Sequence, residues 1–249
     1  MNRRDLIANR FSQASATYDG ASGLQALSAQ YLAERVLGYD WADPDVLEVG
    51  CGTGGLTNRL IHRICGNWIV TDIAPAMLER ARTLLPDVRA TFCIMDGENP
   101  ELAPGCLDLI VSNLAFQWFE DLPGALERLA RCLARQGRLI VNTLGQCSLT
   151  EWRNAVASTG HQAGVPAYPA ASELSAMLPG MRVDSQIIPV IHEDARAFLR
   201  SLKAIGATTP AREYLPIPAA SLRQAMAELG APCQVSYEIL TLDWMKSEA

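Results

Sequence analysis

The sequence predicts an α/β fold, a mainly parallel sheet with helices packed on both faces. Between residues 46 and 144, short apolar runs alternate with stretches at helical spacing. That order is expected when crossover helices wind a parallel sheet. The first run, Val46 to Val49, enters a turn with glycine at every second position, Gly50-Cys51-Gly52-Thr53-Gly54. Four predicted strand ends in succession carry a polar residue: Glu48, Asp72, Asp96 and Asn113. Ligands of open α/β sheets sit outside the carboxyl ends of the strands, so these four are expected to meet at one crevice.

In chain order, residues 1–40 read as a helical arm, because Leu24, Leu27 and Tyr31 recur at i, i+3 and i+7. Ahead of that stripe, Phe11 to Asp19 mixes aromatics with small polar residues. It suits either a packed arm or a flap over the crevice with Tyr18 inside. After the glycine turn, Leu56 to Ile64 continues at helical spacing. Trp68 to Asp72 is an apolar strand that ends in a carboxylate 20 residues beyond Gly52, the spacing that puts an acid over ribose hydroxyls. Pro75 suits the first turn of the next helix, in which Met77 and Leu78 are either adenine flanks or core. Val88 to Met95 is the third strand, leading to Asp96-Gly97-Glu98, where a carboxylate beside a glycine suits an adenine amino group. Leu107 to Asn113 is the fourth.

Further on, Asp121 to Leu133 reads as a helix and Arg138 to Leu144, after Gly137, as the fifth strand. Ser148 to Gly160 is helical, and Val165 to Gly180, with three prolines, is loop-rich. Val183 to Ile191 and Val235 to Leu242 are the last strands. Between them, residues 192–230 are placed as a helical lid.

The glycine turn alone leaves two cofactors open. Gly50-x-Gly52-x-x-Gly55 fits the dinucleotide fingerprint, and Gly50-x-Gly52-x-Gly54 fits that of S-adenosylmethionine enzymes. Glu48 separates them, since a carboxylate two residues before the first glycine suits the methionine amine and repels a pyrophosphate. An NAD-dependent oxidoreductase is further disfavoured by the lack of a placed hydride-transfer partner. A binding module built on a cofactor fold would not need all four polar strand ends.

Composition sets outer limits. The chain has 249 residues, 49% hydrophobic and 19% charged, which suits a single domain. No apolar run reaches the roughly 18 residues of a membrane span, and no secretory leader is visible behind Met1-Asn2-Arg3-Arg4, so a cytoplasmic location is expected. A net charge of −6 disfavours generic nucleic-acid binding. The cysteines, Cys51, Cys65, Cys93, Cys106, Cys132, Cys147 and Cys233, are scattered without a Cys-x-x-Cys pair. They imply neither a disulfide framework nor a metal site.

Glu48-x-Gly50-Cys51-Gly52-Thr53-Gly54, Asp72-Ile73-x-Pro75-x-Met77-Leu78, Asp96-Gly97-Glu98 and Leu107 to Asn113 resemble the ordered motifs of class I S-adenosylmethionine-dependent methyltransferases. This likeness spans roughly residues 10–145. Phe11 to Asp19, Ser112 to Trp118, Leu199 to Ala207 and Ser236 to Leu240 resemble, more narrowly, the malonyl-acyl carrier protein O-methyltransferase family, which starts the pimelate part of biotin synthesis. The resemblance implies a Rossmann-like, seven-stranded sheet with the last strand antiparallel. It also implies S-adenosylmethionine held by Glu48, Gly50, Gly52, Gly54, Asp72, Ile73, Met77, Asp96, Gly97 and Asn113. Gly97 departs from the pattern, because many relatives have alanine there, and Thr208 to Arg223 looks divergent.

On this reading residues 1–249 form one methyltransferase domain, with an arm (1–40), a cofactor core (44–145) and an acceptor half (146–249). The implied partner is an acyl carrier protein bearing malonyl-phosphopantetheine; a small diacid of the trans-aconitate type is the alternative acceptor. Over residues 192–224 the basic side chains Arg196, Arg200, Lys203, Arg212 and Arg223 outnumber the acids Glu193, Asp194 and Glu213. Arg196, Arg200 and Lys203 share one helical face, opposite Phe198, Leu202 and Ile205. That face is either solvated or an anion site, with Arg200 and Lys203 for the malonyl carboxylate, the arm's phosphate or the carrier's acidic surface. A carboxylate acceptor is ionised near neutral pH and needs no general base. Tyr18, Gln117 and Trp118 are therefore expected as walls and orienters.

Overall fold

A computed structural model describes residues 2–86, 88–211 and 214–247. The arm is three helices, α1 (Arg3–Ala14), α2 (Tyr18–Ala21) and α3 (Gly23–Val36). The core follows as β1 (Asp45–Val49), α4 (Thr57–Leu60), β2 (Asn67–Asp72), α5 (Pro75–Leu84), β3 (Ala90–Ile94), β4 (Leu107–Asn113), α6 (Leu122–Cys132) and β5 (Leu133–Leu144). The remainder is α7 (Thr150–Ala157), α8 (Ala171–Ser175), β6 (Arg182–His192), α9 (Ala195–Ala204), α10 (Ala219–Leu229) and β7 (Cys233–Met245).

The seven strands form one sheet in the order β3-β2-β1-β4-β5-β7-β6. All pairs from β3 to β5 are parallel, and β7 runs antiparallel to both β5 and β6. Strand order reverses between β1 and β4, which opens a crevice at their carboxyl ends. This is the α/β arrangement expected, including the antiparallel last strand.

Alternation along the strands splits the core between two faces. Val46, Val70 and Val111 pack with Leu32 and Val36 of α3, Leu60 of α4, and Leu78 and Ala81 of α5. Leu47, Val49 and Ile110 pack on the other side with Leu126 and Leu129 of α6. Leu107 and Leu109 share a parity but face opposite sides. A register irregularity between them accounts for this, since a one-residue slip turns a side chain to the other face. A third cluster lies under the lid, with Leu144, Trp152, Phe198 and Tyr237 buried together.

Helix ends follow local chemistry. Asp121 caps α6 by accepting from the Gly124 N–H at 3.0 Å, and Asp194 caps α9 through Ala197 at 2.6 Å. Pro75 opens α5, where a missing N–H costs nothing. The helix expected from Leu56 to Ile64 is one turn, Thr57–Leu60, continued by turns. The fifth strand begins five residues earlier than Arg138, because Leu133 already pairs with Leu107. The lid is two helices, α9 and α10, rather than one continuous helical segment; Arg212 and Glu213 lie outside the described residues.

A buried polar seam fastens the arm to the sheet. The Ser28 hydroxyl donates to Asn113 Oδ1 at 2.7 Å, and Asn142 Nδ2 donates to the Ser28 hydroxyl at 2.9 Å. Thr241 completes it by donating to Asn142 Oδ1 at 2.8 Å. Replacing Ser28 by Ala strips a donor from Asn113 and an acceptor from Asn142. We expect a loss of about 1–3 kcal/mol in urea unfolding with an unchanged m-value; an unchanged midpoint would show that the seam contributes nothing to stability.

Candidate functional site

Two cavities adjoin at the carboxyl ends of the parallel strands. The first is lined by Gly50 and Gly52 after β1, Asp72, Ile73 and Met77 after β2, Asp96 and Gly97 after β3, and Asn113 after β4. Arg4, Ile7, Phe11 and Tyr18 of the arm close it from above. The loop that shapes it is held by one carboxylate. Asp72 accepts from the Gly52 N–H at 2.8 Å and from the Ala74 N–H at 2.7 Å. Gly52 has φ +55° and its α-carbon faces the Tyr18 ring, so a side chain there would be strained and would intrude on the cavity.

The arm is pinned over this loop by ion pairs and hydrogen bonds. Asp19 accepts from the Thr53 hydroxyl at 2.7 Å and pairs with Arg80 at 3.2 Å. Arg4 pairs with Asp96 at 2.9 Å and reaches Glu98 at 3.6 Å. Buried Glu98 in turn accepts from the Glu120 and Asp121 N–H groups at 2.9 and 3.0 Å, which orders the start of α6. Phe11 meets Trp118 edge to face, with ring centroids 5.4 Å apart.

Several expected contacts turn out to have other duties. Glu48 is buried beneath the glycine loop, where it accepts from the Thr57 hydroxyl at 2.6 Å. It lines a smaller adjoining hollow, shared with Tyr18, Gly50, Gly52 and Asn113, and not the first cavity itself. Asn113 uses both ends of its amide, accepting from Ser28 and donating to the Gln25 carbonyl at 3.1 Å. Asp96 is engaged by Arg4, the Glu98 N–H and Asn99. Gly54 lines neither space. A β-carbon there would stand 2.8 Å from Leu85, so this glycine serves the approach of α5. At Gly97 a β-carbon would overlap Val49, and even an alanine is excluded.

The second cavity opens beside the first and shares Phe11, Tyr18, Leu114 and Trp118 with it. Its wall includes Leu144 and Trp152, Tyr168, Leu199 and Leu202 of α9, and Tyr237 of β7. Gln117 and Trp118 stand here as expected wall residues, with Gln117 held by the Leu114 carbonyl at 2.6 Å.

Arg200 and Lys203 do not line it. They face a separate surface hollow between α1 and α9, together with Asn9, Arg10, Thr17 and Thr208. Helical geometry explains the correction, because Leu199 and Leu202 turn the opposite face of α9 inward. The sequence reading did not single out Arg4, Gln25 or Tyr168, which tertiary packing brings in and which sit in no motif. Phe11 and Tyr237 fall within stretches it quoted, Phe11 to Asp19 and Ser236 to Leu240, without being assigned to the site.

Burial governs the site's protonation. It pushes the Tyr18 phenol well above its usual range, aided by the Asp72 charge, so Tyr18 is a hydroxyl and not a base. Glu48 is raised from 4.5 to about 7 by burial, against the opposing Thr57 bonds. Burial likewise raises Asp72 from 3.8 to about 6, against the N–H groups of Ala74, Gly52 and Ile73.

Comparison with known proteins gives consistent findings. Residues 47–141 match the methyltransferase domain family. The chain is 41% identical over 245 residues to a biotin biosynthesis bifunctional protein BioCD of Bordetella avium, covering 96% of this chain and 52% of that protein. It thus spans about half that relative's length. It is 37% identical over 232 residues to a malonyl-[acyl-carrier protein] O-methyltransferase of Magnetococcus marinus, covering 90% and 85% of the two chains. In fold it is similar to YcgJ of Bacillus subtilis, with TM-score 0.66, 17% identity, and coverage of 88% and 100%. It is also similar to phosphoethanolamine N-methyltransferase 2 of Haemonchus contortus, solved with S-adenosylhomocysteine, with TM-score 0.64, 14% identity, and coverage of 100% and 61%. Among the described residues no helix is long and apolar enough to cross a membrane.

The raised carboxyls predict a pH dependence. Folded Glu48 keeps its proton between about 4.5 and about 7, where the unfolded chain has released it. Stability is thus fully present below that window and is lost as pH rises through it. Asp72 acts in the same direction between 3.8 and about 6. The Tm of the ligand-free protein should fall from pH 5 to pH 7.5, and Glu48→Gln should flatten part of the slope. A Tm that climbs over this interval, or a slope the variant leaves intact, would contradict the assignment.

Proposed function

Because the chain belongs to the malonyl-[acyl-carrier protein] O-methyltransferase family of S-adenosylmethionine-dependent enzymes, we propose that it methylates the free carboxylate of a malonyl group carried as a thioester on acyl carrier protein. The product is the methyl ester that primes pimelate assembly for biotin. The protein is a carboxyl O-methyltransferase that uses S-adenosylmethionine. When bound, that cofactor supplies a methyl carbon attached to a positively charged sulfur.

The observation that carries the reading is the meeting of two cavities at one boundary. The cavity at the strand ends has the groups a nucleoside needs: Asp72 for ribose hydroxyls, Ile73 and Met77 for the purine faces, and Asp96 with Gly97 near its edge. Asp72 already accepts from the Gly52 and Ala74 N–H groups, one on each oxygen, and its carboxylate has accepting capacity left for a hydroxyl. The cofactor's amino-acid end fits the glycine loop beside Tyr18 and above Glu48. The acceptor enters from the apolar side, and Phe11, Tyr18, Leu114 and Trp118 frame the place where the two reactants meet.

The carboxylate oxygen attacks the methyl carbon while the carbon–sulfur electron pair leaves on sulfur. No proton moves, so no side chain has to act as acid or base. Tyr18 and Trp118 orient the reactants and exclude water, and positioning of this kind is what the fold contributes to rate. In domain terms residues 1–249 act as one unit, with 1–40 as cover, 44–145 for the cofactor and 146–249 for the acceptor. The relatives are named for a carrier-bound malonyl group, so a free small diacid is not favoured.

The surface hollow between α1 and α9 is then the docking place for the carrier. Arg200 and Lys203 face it, and Arg10 lies beside them, bonded to Thr208. Among the described residues no acid forms a salt bridge with Arg200 or Lys203, and Thr208 lines both this hollow and the acceptor cavity. A phosphate on the arm, or acids of the carrier, match these cations.

The direct test is methylation of malonyl-acyl carrier protein beside free diacids, with Asp72→Ala as the inactive control. The double change Arg200→Ala, Lys203→Ala should raise KM for the carrier substrate about tenfold with little change in kcat, and should weaken the salt dependence of kcat/KM. S-adenosylhomocysteine affinity should not move. Carrier kinetics identical to the unmodified enzyme at all salt concentrations would place docking elsewhere.

A further inference from the structure

Among the described residues that line the acceptor cavity, none carries a charge. This is notable for a space that must hold a carboxylate, because buried anions are ordinarily paired with a cation or heavily hydrogen-bonded. Its wall does hold two phenols brought together from distant parts of the chain, Tyr168 from the loop before α8 and Tyr237 from β7. Tyr168 packs against the buried cluster that holds Tyr237. Neither hydroxyl has a hydrogen-bond partner among the described residues, although Tyr237 is only 7% exposed. Burial pushes Tyr168 up to about 12, and Tyr237 also rises, so both remain O–H donors. Arg3, whose charge reaches Tyr168, donates to the Pro210 carbonyl at 2.7 Å and does not line the cavity. Arg153 stands 5.7 Å from the centre of the Tyr168 ring and spends N–H groups on the carbonyls of Ser148 and Pro166. It does not line the cavity.

Resting on the carboxyl-methylating reading above, we infer that the Tyr168 and Tyr237 hydroxyls seat the acceptor's carboxylate as uncharged donors, and that the bound methyl donor would supply its countercharge, since no cation lines the cavity among the described residues. The chemistry favours such a design. As the oxygen–carbon bond forms and the carbon–sulfur pair departs to sulfur, the negative charge on the acceptor and the positive charge on the donor vanish together. A fixed arginine or lysine would hold the anion most firmly before reaction and lose its grip at the transition state. Such an interaction favours the ground state and slows the chemical step. A phenol satisfies the oxygen without that penalty, and the surrounding apolar wall keeps water from the anion once it is bound.

The test uses the full-length enzyme with malonyl-pantetheine and acetyl-pantetheine, which differ by the carboxylate. Calorimetry measures their binding to the complex with S-adenosylhomocysteine, which has a neutral sulfur, and to the complex with sinefungin, which has an ammonium in its place. Malonyl-pantetheine should bind about tenfold more tightly with sinefungin, and acetyl-pantetheine should show no preference. Tyr168→Phe with Tyr237→Phe should lower kcat/KM for malonyl transfer about tenfold to a hundredfold, the range of a hydrogen bond to a charged group. The same variant should keep its affinity for S-adenosylhomocysteine and for acetyl-pantetheine. The inference is overturned by a double variant that methylates at the original rate, or by one that loses both thioesters equally, which marks a structural role. Equal malonyl-pantetheine binding to the two cofactor complexes overturns it as well. An unmodified enzyme that leaves every malonyl thioester unmethylated removes the underlying reading first, and that result is distinct from the others.

Discussion

The structure depends on one clasp, the Asp72 carboxylate held between the Gly52 and Ala74 N–H groups. It ties the loop after β1 to the end of β2, and so fixes the floor of the cofactor cavity before any ligand arrives. Burial of that carboxylate is unfavourable, as its raised pKa of about 6 records. The backbone donors offset this only in part. The clasp therefore holds a buried, anion-prone group at the floor of the first cavity, where the proposed cofactor's ribose would lie, a compromise between stability and function of the kind active sites tolerate.

From that floor the rest of the site is assembled by the arm. Asp19 bridges to Thr53 and Arg80, Arg4 to Asp96 and Glu98, and Ser28 to Asn113 and Asn142. Three separate strand ends are thus engaged by one continuous stretch of chain. The same stretch supplies Phe11 and Tyr18 to the boundary between the cavities. Charge is distributed across this boundary in a definite way. Acids and an arginine surround the cofactor side, no charged side chain lines the acceptor side among the described residues, and the basic face of α9 is turned outward.

Legibility from sequence followed the range of the interactions. β1, β2 and β4 were readable because their signals are local: an apolar run, a glycine turn, a terminal acid. Gly50, Gly52, Asp72, Ile73, Met77, Asp96, Gly97 and Asn113, proposed for the cofactor, carry local signals of the same kind and line the first cavity, although Asn113 and Asp96 are committed to neighbouring groups. Gly54 shows the limit. Its spacing matched a ligand-binding glycine, but Leu85, about thirty positions away, is what excludes a side chain there. The acceptor side was the least legible. Periodicity divided α9 correctly into a basic and an apolar face, but it could not say which face looks inward. No local pattern could join Tyr168 to Tyr237, because their meeting is a product of sheet order and lid packing.

The orientation of α9 bears on the acceptor chemistry proposed for the fold. Had its basic face turned inward, Arg200 and Lys203 would neutralise an incoming carboxylate and dull it as a nucleophile. With Leu199 and Leu202 inward, the cations are left at the rim, where Thr208 connects the surface hollow to the cavity. Arg10 of α1 holds Thr208, and the Thr17 hydroxyl donates to the Ala204 carbonyl at 2.8 Å. Lid and arm therefore share their fastening points. On the proposed function, recognition of a charged carrier outside and reaction of an anion inside would be opposite electrostatic demands, and a single amphipathic helix would separate them by the thickness of its own backbone.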